Sequence, residues 1–238
     1  MIKVMSALLA LTLAGCAAGQ RMDDRRAAFL GRAAEPSAVI TAELAFARLA
    51  REKGTWTAFR ETATDDALWP APGWQNVKAA LKGVPDPVQP VVWEPDLVWS
   101  SCDGSFALST GPATWPDGRT TRFATIWQRQ DNGEYKWVLD QALDADPGYA
   151  KPEMIAARVA ECGERRPRDT RWSARRGLAW QSGQSDDGTL AWSTELTADC
   201  SRRFKVLARR QGTLTEVFNA SAAPPSPAAG ATPPACPA

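Results

Sequence analysis

The sequence contains no histidine, and only two of its 238 residues are tyrosine, Tyr135 and Tyr149. Without histidine the chain cannot assemble a Ser-His-Asp or Cys-His nucleophile, a histidine-ligated zinc site, or the usual general base near neutral pH. Any acid–base chemistry must therefore come from carboxylates, lysines, tyrosines or cysteines. The net charge is only +1, which argues against electrostatic binding of nucleic acid.

Tryptophan is the residue type in excess, with 11 copies in a chain that is 44% hydrophobic and 23% charged. These proportions are typical of a globular protein. Each tryptophan can bury roughly 150–250 Å² of surface, so together they can build a core or line an aromatic pocket. The length allows one medium-sized domain with an accessory unit.

Residues 1–15 have the pattern of a targeting segment that is absent from the mature chain. A positive charge at Lys3 precedes an apolar run at 4–13 that is too short for a permanent membrane span. The sequence LAGC at 13–16 resembles the lipobox of bacterial lipoproteins, and an ordinary secretory signal is the alternative. The resemblance implies cleavage before Cys16 and acyl chains such as palmitate on that cysteine, each buried CH₂ contributing ~0.8 kcal/mol to membrane binding.

The expected location is the bacterial cell envelope, with the lipid in the periplasmic face of the outer membrane in preference to the inner membrane. Residue 17 is alanine, whereas an aspartate at this position in enteric bacteria resembles a signal to stay in the inner membrane. An oxidising compartment allows disulfides among the other cysteines. We expect Cys162 to pair with Cys200, and Cys102 and Cys236 to be unpaired. The cysteine spacings match no zinc pattern, so we predict no metal site. We also expect no cofactor.

Three helices are expected before the main sheet. Pro36 opens the first, which runs to Lys53 and ends at Gly54. Its apolar residues recur at spacings of three and four, which gives one apolar face. They are Val39, Ala42, Phe46 and Leu49. A second helix is predicted from Thr55, leading into a loop, and a short third helix is predicted at about 75–81.

The stretch 91–143 predicts a long, curved antiparallel sheet of four strands. Aromatic and β-branched residues alternate there with turn signals, and no helix pattern interrupts them. The turn signals are Asp103-Gly104, Asp117-Gly118 and Asn132-Gly133. Asp-Gly and Asn-Gly supply the positive φ angles of primed hairpin turns.

The last third of the chain is expected to add a smaller β unit. A helix is predicted from Pro152 to just before Gly163, followed by an arginine-rich linker. Two hairpins follow, at 178–196 and 203–218, and an isolated hairpin is marginal, so they must pack on each other or on the main domain. The uncharged Ala/Pro-rich stretch 219–238 predicts a disordered tail.

Helices followed by a strongly curved antiparallel sheet resemble the nuclear transport factor 2-like cone fold, and the local sequence is similar to its SnoaL-like and ketosteroid isomerase-like members. The matching pieces are Glu43 and Phe46, Asp65-Asp66-Ala67, Ser101-Cys102-Asp103-Gly104 with Thr110-Gly111, Thr125-Ile126-Trp127-Gln128-Arg129, and GEYKWVLD at 133–140. The resemblance covers about 36–143. It implies an α+β fold in which N-terminal helices cover a cone-shaped antiparallel sheet, with a small C-terminal antiparallel β unit added.

The expected organisation has five parts. They are a signal peptide at 1–15, a tether at 16–35, the cone domain at 36–146, a helix with accessory hairpins at 147–218, and the tail at 219–238.

The resemblance also implies a conical pocket, in which carboxylates, tyrosines and histidines of the enzymes transfer protons on carbonyl substrates. This chain has no histidine, and its first helix lacks the tyrosine that ketosteroid isomerases keep in their oxyanion hole. Asp140 is the candidate proton carrier, because apolar neighbours on the pocket face would raise its pKa. The alternative is a strand-end aspartate that caps a loop or pairs with an arginine. Strand alternation predicts that Asp140 points away from Trp137 and Leu139, to the same face as Val138.

Trp69, Trp93 and Trp127 are expected to form an aromatic wall beside Asp140, with ordinary core packing as the alternative. The leading hypothesis is a membrane-anchored periplasmic lipoprotein whose cone binds a small apolar ligand or a partner without catalysis. The alternatives are a carboxylate-based isomerase or dehydratase that uses Asp140, and an envelope interaction or assembly protein. The expected partners are the membrane, through the N-terminal lipid, and a second copy of the chain, unless the accessory strands occupy the outer sheet face.

Overall fold

Two β-sheets and three helices make up the described part of the chain. The computed structural model describes residues 33–163, 175–176, 179–226 and 235–236, with only the backbone of 175–176. The first sheet has eight strands and the second has five. The predicted fold class is confirmed, because N-terminal helices cover a large curved sheet and a separate antiparallel sheet follows.

The helices lie close to where the sequence predicts them. Helix α1 is Pro36–Lys53, α2 is Thr55–Thr62 and α3 is Val77–Ala80. Gly54 separates the first two with a φ of 111°, which glycine adopts without strain. Its amide N–H donates to the carbonyl of Ala50, so α1 ends there with its backbone groups satisfied.

The first sheet contains the predicted hairpins and additional edge strands. Its strands are β1 (Ala63–Pro70), β2 (Trp74–Asn76), β3 (Val92–Trp93), β4 (Leu97–Ser100), β5 (Phe106–Thr114), β6 (Thr120–Arg129), β7 (Tyr135–Asp144) and β8 (Ala156–Val159). They lie in the order β2-β1-β7-β6-β5-β4-β8, and β3 pairs with β5. The β5–β6 and β6–β7 pairs are antiparallel as predicted, whereas β1–β7 and β4–β8 are parallel.

Two segments fold differently from the sequence prediction. The residues after α2, expected to lead into a loop, form β1 and pair with β2 and β7. The expected helix from Pro152 is wrong, because the residues from Ala156 to Val159 form β8 beside β4. The edge of β4 offers unpaired backbone groups to this segment. The segment is only moderately amphipathic as a helix, so helix formation would bury little apolar surface.

The inner face of the first sheet packs against α1 and α2. Phe46 of α1 is 1% exposed, and its ring centroid lies 4.8 Å from that of Trp93 and 5.0 Å from that of Phe59. Val39 and Ala50, on the same side of the helix, have no exposed surface. The helices therefore cover one face of the curved sheet.

The second sheet covers the outer face of the first. Its strands are β9 (Arg175–Arg176), β10 (Trp180–Gln184), β11 (Leu190–Leu196), β12 (Arg202–Arg210) and β13 (Thr213–Ala222). The two predicted hairpins are present as β10–β11 and β12–β13. Ile126 and Leu139 of the first sheet share one core with Trp192 and Phe204 of the second. A homodimer through the outer face would have to displace this second sheet.

Two turns of related sequence join the sheets. The β4–β5 turn reads SCDGS at 101–105 and the β10–β11 turn reads SDDGT at 185–189. The N–H of Asp103 donates to Oδ2 of Asp187 at 2.9 Å, and the N–H of Asp187 donates to Oδ2 of Asp103 at 3.0 Å. The N–H of Cys102 also donates to the Thr189 hydroxyl at 2.9 Å. Sequence reasoning misses this reciprocal turn pair, which fixes one end of the second sheet on the first.

The disulfide bonds differ from the expected pairing. Cys102 is bonded to Cys162, and Cys200 is bonded to Cys236, each pair with Cα atoms 5.2 Å apart. The predicted Cys162–Cys200 bond is therefore wrong, as is the expectation that Cys102 and Cys236 are unpaired. The pairing of β8 with β4 brings Cys162 to the turn after β4, and a prediction that placed Cys162 at the end of a helix could not show this.

Part of the predicted disordered tail is ordered. Strand β13 extends to Ala222, which is 6% exposed, and Cys236 is 7% exposed. Cys236 packs with Leu196 and Cys200, and its N–H donates to the carbonyl of Ala198 at 3.1 Å. Residues 227–234 and 237–238 of the predicted tail lie outside the described residues.

Several sequence predictions fall on parts of the chain that lie outside the described residues. These are the signal peptide, the lipidation site at Cys16, the tether up to residue 32, and the arginine-rich linker at 164–174. Within the described ranges, no helix combines the length and the apolar character that crossing a membrane requires.

Candidate functional site

A cavity of about 250 Å³ lies between the helices and the inner face of the first sheet. Its lining residues are Phe46, Thr55, Trp56, Phe59, Trp69, Pro70, Ala71, Val91, Trp93, Ala113, Trp115, Thr121, Phe123, Asp140, Gln141, Ala142 and Arg202. The volume exceeds the ~150 Å³ of an apolar cavity that holds benzene. It lies just below the ~300–1,000 Å³ of pockets for drug-sized ligands.

Aromatic residues are a large part of the cavity wall, with four tryptophans and three phenylalanines in the lining. The ring of Trp69 lies 5.4 Å from that of Trp56, edge to face, and 5.9 Å from that of Phe59. Phe59 in turn contacts Phe46 edge to face. Such contacts favour fixed ring orientations. The wall is therefore formed by packing within the protein and does not depend on a ligand.

Asp140, the predicted proton carrier, lines this cavity from β7. The hydroxyl of Thr125 donates to its Oδ2 at 2.7 Å. The pKa of Asp140 is raised from 3.8 to about 7, chiefly by burial; the Thr125 hydrogen bond opposes this rise, and the charge of Glu43 adds to it. Near neutral pH both protonation states are populated, so the carboxyl can act as a donor or as an acceptor.

A β-bulge determines the direction in which Asp140 points. The register of β6 and β7 shifts between Leu139 and Trp137, which leaves Val138 as the extra residue. The bulge reverses the alternation of faces at Val138. Trp137 therefore belongs to the inner core and Asp140 lines the cavity, while Val138 and Leu139 pack in the outer core. The prediction that Asp140 faces away from Leu139 is confirmed, but its grouping with Val138 and against Trp137 is wrong.

A second carboxyl, Glu43, is completely buried in the inner core. The indole of Trp93 donates to Oε1 at 2.7 Å, and the indole of Trp127 donates to Oε2 at 3.1 Å. The hydroxyl of Ser109 also donates to Oε2. Burial raises the pKa of Glu43, and these three hydrogen bonds oppose the rise. Because the charge of Glu43 raises the pKa of Asp140, the two carboxyls are electrostatically coupled.

Sequence reasoning misses Glu43 as a site residue, although its position carries a signal. It follows Val39 by four residues and precedes Phe46 by three, which places all three on one face of α1. The buried face of α1 consists of Val39, Glu43, Phe46, Ala47 and Ala50. A carboxyl on a face that is otherwise apolar indicates a buried polar network.

Three of the four predicted pocket residues come together in the cavity. Trp69, Trp93 and Asp140 line it. Trp127 is 1% exposed and lies in the inner core outside the lining, where its indole is hydrogen-bonded to buried polar groups. The aromatic pattern does not single out Trp56, which lines the cavity from the first turn of α2.

Arg202 reaches the cavity from β12 of the second sheet. Its Nη2 donates to the carbonyl of Ala142 at 2.8 Å. Burial lowers the pKa of this guanidinium, and the charge of Asp144 opposes that change. The sequence gives no signal for Arg202, because its position depends on how the second sheet packs on the first.

No family model matches the chain, and no curated protein matches it. Three solved structures resemble it: a protein described as an aromatic ring hydroxylase from Novosphingobium aromaticivorans, one described as a ketosteroid isomerase from Parabacteroides distasonis, and a conserved protein from Planctomyces limnophilus. Their sequence identities are 16%, 14% and 16%, and their TM-scores are 0.37, 0.35 and 0.29. The matches cover 47%, 49% and 44% of this chain and 90%, 98% and 91% of the other chains.

The class of fold is set by the topology of the chain itself: an α+β cone, with helices over a curved sheet and a cavity between them. The function has to be argued from the cavity.

Proposed function

We propose that this chain binds a small, largely apolar molecule in the cone cavity and does not turn it over. The observation that carries the proposal is a cavity of about 250 Å³ whose wall is rich in aromatic residues and contains one carboxyl. Such pockets bind chiefly by burying apolar surface, at ~25 cal/mol per Å², while a few polar groups orient the ligand. The missing histidine, and the missing tyrosine in α1, favour binding over turnover.

The chemistry of the wall limits the ligand. The volume suits a molecule of one or two rings, and the aromatic side chains suit an aromatic or alicyclic body. Asp140 can meet a hydroxyl or a carbonyl group on that body, because near its pKa of about 7 it can accept or donate a hydrogen bond.

Filling the cavity tests the proposal. Ala113 lines the cavity from β5 and is 6% exposed. An Ala113→Leu variant should weaken binding of 2-naphthol, a neutral two-ring probe, by about tenfold or more, since its side chain takes up space that the probe needs. Quenching of the tryptophan fluorescence during titration of the full chain measures the affinity.

The matched control is Ala157→Leu, because Ala157 is exposed on β8 and lies outside the cavity lining. This variant should bind the probe as the unmodified chain does. Equal affinities in the two leucine variants, or no binding by the unmodified chain, would contradict the proposal. Co-purification of a stoichiometric protein partner in mild detergent would instead favour an envelope interaction or assembly role.

A second candidate function is proton transfer on a bound carbonyl compound, in the manner of an isomerase or dehydratase. The observation that favours it is the pKa of about 7 at Asp140, since a general acid or base works best with a pKa near the operating pH. Asp140 would remove a proton from the carbon next to the carbonyl group and return it at another position.

We also propose that the chain is anchored to a bacterial envelope membrane through a lipid on Cys16. The support is the order of charge, apolar run and LAGC at the start of the sequence. A Cys16→Ser variant should lose incorporated palmitate label and move from the membrane to the soluble fraction, since no lipid can be attached. An Ala18→Ser variant should keep both the label and the membrane location. Membrane retention of the Cys16→Ser chain after processing would contradict the lipid anchor.

A further inference from the structure

Among the described residues, Arg202 is the positively charged side chain in the cavity lining. It does not belong to the cone, because it enters from the second sheet. Its Nη2 donates to the carbonyl of Ala142, and within the described ranges the guanidinium makes no ion pair. Within the described residues, a half-buried cation in a wall rich in aromatic residues therefore has one backbone carbonyl as its hydrogen-bond partner.

Several other polar atoms of the residues that line the cavity have no hydrogen-bond partner within the described part of the chain. These are Nε of Arg202, the indole Nε1 of Trp69, and both side-chain amide atoms of Gln141. Gln141 is 2% exposed, so bulk water does not reach its side-chain amide. Buried polar groups in folded proteins are normally hydrogen-bonded. The residues of this lining therefore carry three donor groups and one acceptor, Oε1 of Gln141, that are covered and have no partner within the described residues.

The charge of Arg202 narrows the kind of ligand group that suits these donors. A guanidinium presents five N–H donors in a planar fork, which matches the two oxygens of a carboxylate. A charge held in an apolar wall is unfavourable, and the charge of Asp144 compensates it only in part, because the pKa of Arg202 is still lowered by burial. A neutral ligand group can satisfy the hydrogen bonds, whereas an anionic group satisfies both the hydrogen bonds and the charge.

We propose that the ligand of this cavity is a small monocarboxylate, with its apolar body among the aromatic rings and its carboxylate at Arg202. This inference rests on the proposed function and adds the chemical class of the ligand. The Nε of Arg202 and the amide of Gln141 are covered in the structure, so these side chains must turn toward the cavity to meet the carboxylate. The second sheet then sets the selectivity of the cone, because it supplies the cation.

The test compares two probes of the same shape on the full chain, 2-naphthoate and its neutral isostere 2-naphthamide. A pH of about 6 keeps Asp140 mostly protonated, so that its charge does not repel the anion. The unmodified chain should bind 2-naphthoate about 10- to 100-fold more tightly than 2-naphthamide. An Arg202→Gln variant should lose this preference, because its affinity for 2-naphthoate falls much more than its affinity for 2-naphthamide.

Two further variants separate recognition of the anion from a structural role of Arg202. Arg203→Gln removes an exposed charge from the neighbouring position of β12 and should keep the preference. Arg202→Lys should keep part of it, since the charge remains and the planar fork is lost. Equal affinities for the two probes in the unmodified chain would overturn the carboxylate assignment and leave the binding proposal intact. A parallel loss of both probes in Arg202→Gln would also overturn it, and failure of both probes to bind the unmodified chain would overturn both proposals.

Discussion

Replacing Asp140 with asparagine is expected to stabilise the folded chain at about pH 8 by up to about 4 kcal/mol, and to leave its stability near pH 4 almost unchanged. Burial raises the pKa of Asp140 from 3.8 to about 7, so the folded chain holds this proton more tightly than the unfolded chain. The resulting stabilisation is fully present below the unfolded pKa and is lost as the pH rises through about 7. Asparagine does not ionise, so the variant avoids this loss.

Urea unfolding of both chains across this pH range measures the effect. The amide oxygen of asparagine can still accept the hydrogen bond of Thr125, so the contact itself is preserved. Asp131→Asn, at an exposed turn residue, is the matched control and should give no pH-dependent difference. Parallel pH profiles for Asp140→Asn and the unmodified chain would contradict the raised pKa.

The same variant tests the second candidate function. If Asp140 transfers protons, the unmodified chain should accelerate deuterium exchange at the carbon next to the carbonyl group of a bound two-ring ketone such as 2-tetralone. The Asp140→Asn variant should bind the ketone and lose the acceleration. Exchange at the rate of buffer alone in the unmodified chain would support binding without turnover.

Removing the side chain of Glu43 is the second change with a large expected effect. A Glu43→Ala variant should lower the free energy of unfolding by about 2–4 kcal/mol, because it leaves a cavity in the core and takes the acceptor from buried donors. The indole of Trp93 loses its partner, whereas the indole of Trp127 keeps the hydroxyl of Ser109 at 2.8 Å. Urea unfolding near neutral pH measures the loss.

The conservative variant Glu43→Gln should cost less than about 1 kcal/mol. Its amide oxygen can accept from Trp93, and its NH₂ group can donate to the oxygen of Ser109, which still accepts from Trp127. Both variants remove the charge that raises the pKa of Asp140, so carboxyl NMR should show a lower pKa there. Equal losses of stability in the two variants would show that the hydrogen bonds of Glu43 contribute little.

Local signals in the sequence predict the elements of this fold well. Pro36 and Gly54 mark the ends of α1, and the Asp-Gly and Asn-Gly pairs mark the hairpin turns, because each acts through its own backbone geometry. Pairing between distant segments is not encoded locally. No local signal in the sequence after Pro152 indicates that this segment pairs with the edge of β4. Without that pairing, the sequence does not show that Cys162 lies beside Cys102.

The residues of the candidate site likewise fall into those that local sequence signals predict and those that depend on distant packing. Asp140 and Trp69 were accessible to sequence reasoning, because a carboxylate and large aromatics within a predicted cone suggest a pocket. The bulge at Val138 is not predictable in this way, since the alternation of side chains between the two faces assumes a regular hydrogen-bond ladder. Arg202 lies 62 residues after Asp140 in the sequence and reaches the cavity only through the packing of one sheet on the other.

The reciprocal turn pair has a consequence for how the protein comes apart. Asp103 and Asp187 each hold the other's backbone N–H, and the residue beside Asp103, Cys102, is covalently bonded to Cys162. The second sheet therefore cannot peel away while the cone remains folded without breaking buried contacts on both sides. Denaturation should be a single all-or-none event, and limited proteolysis should not yield a separately folded cone fragment.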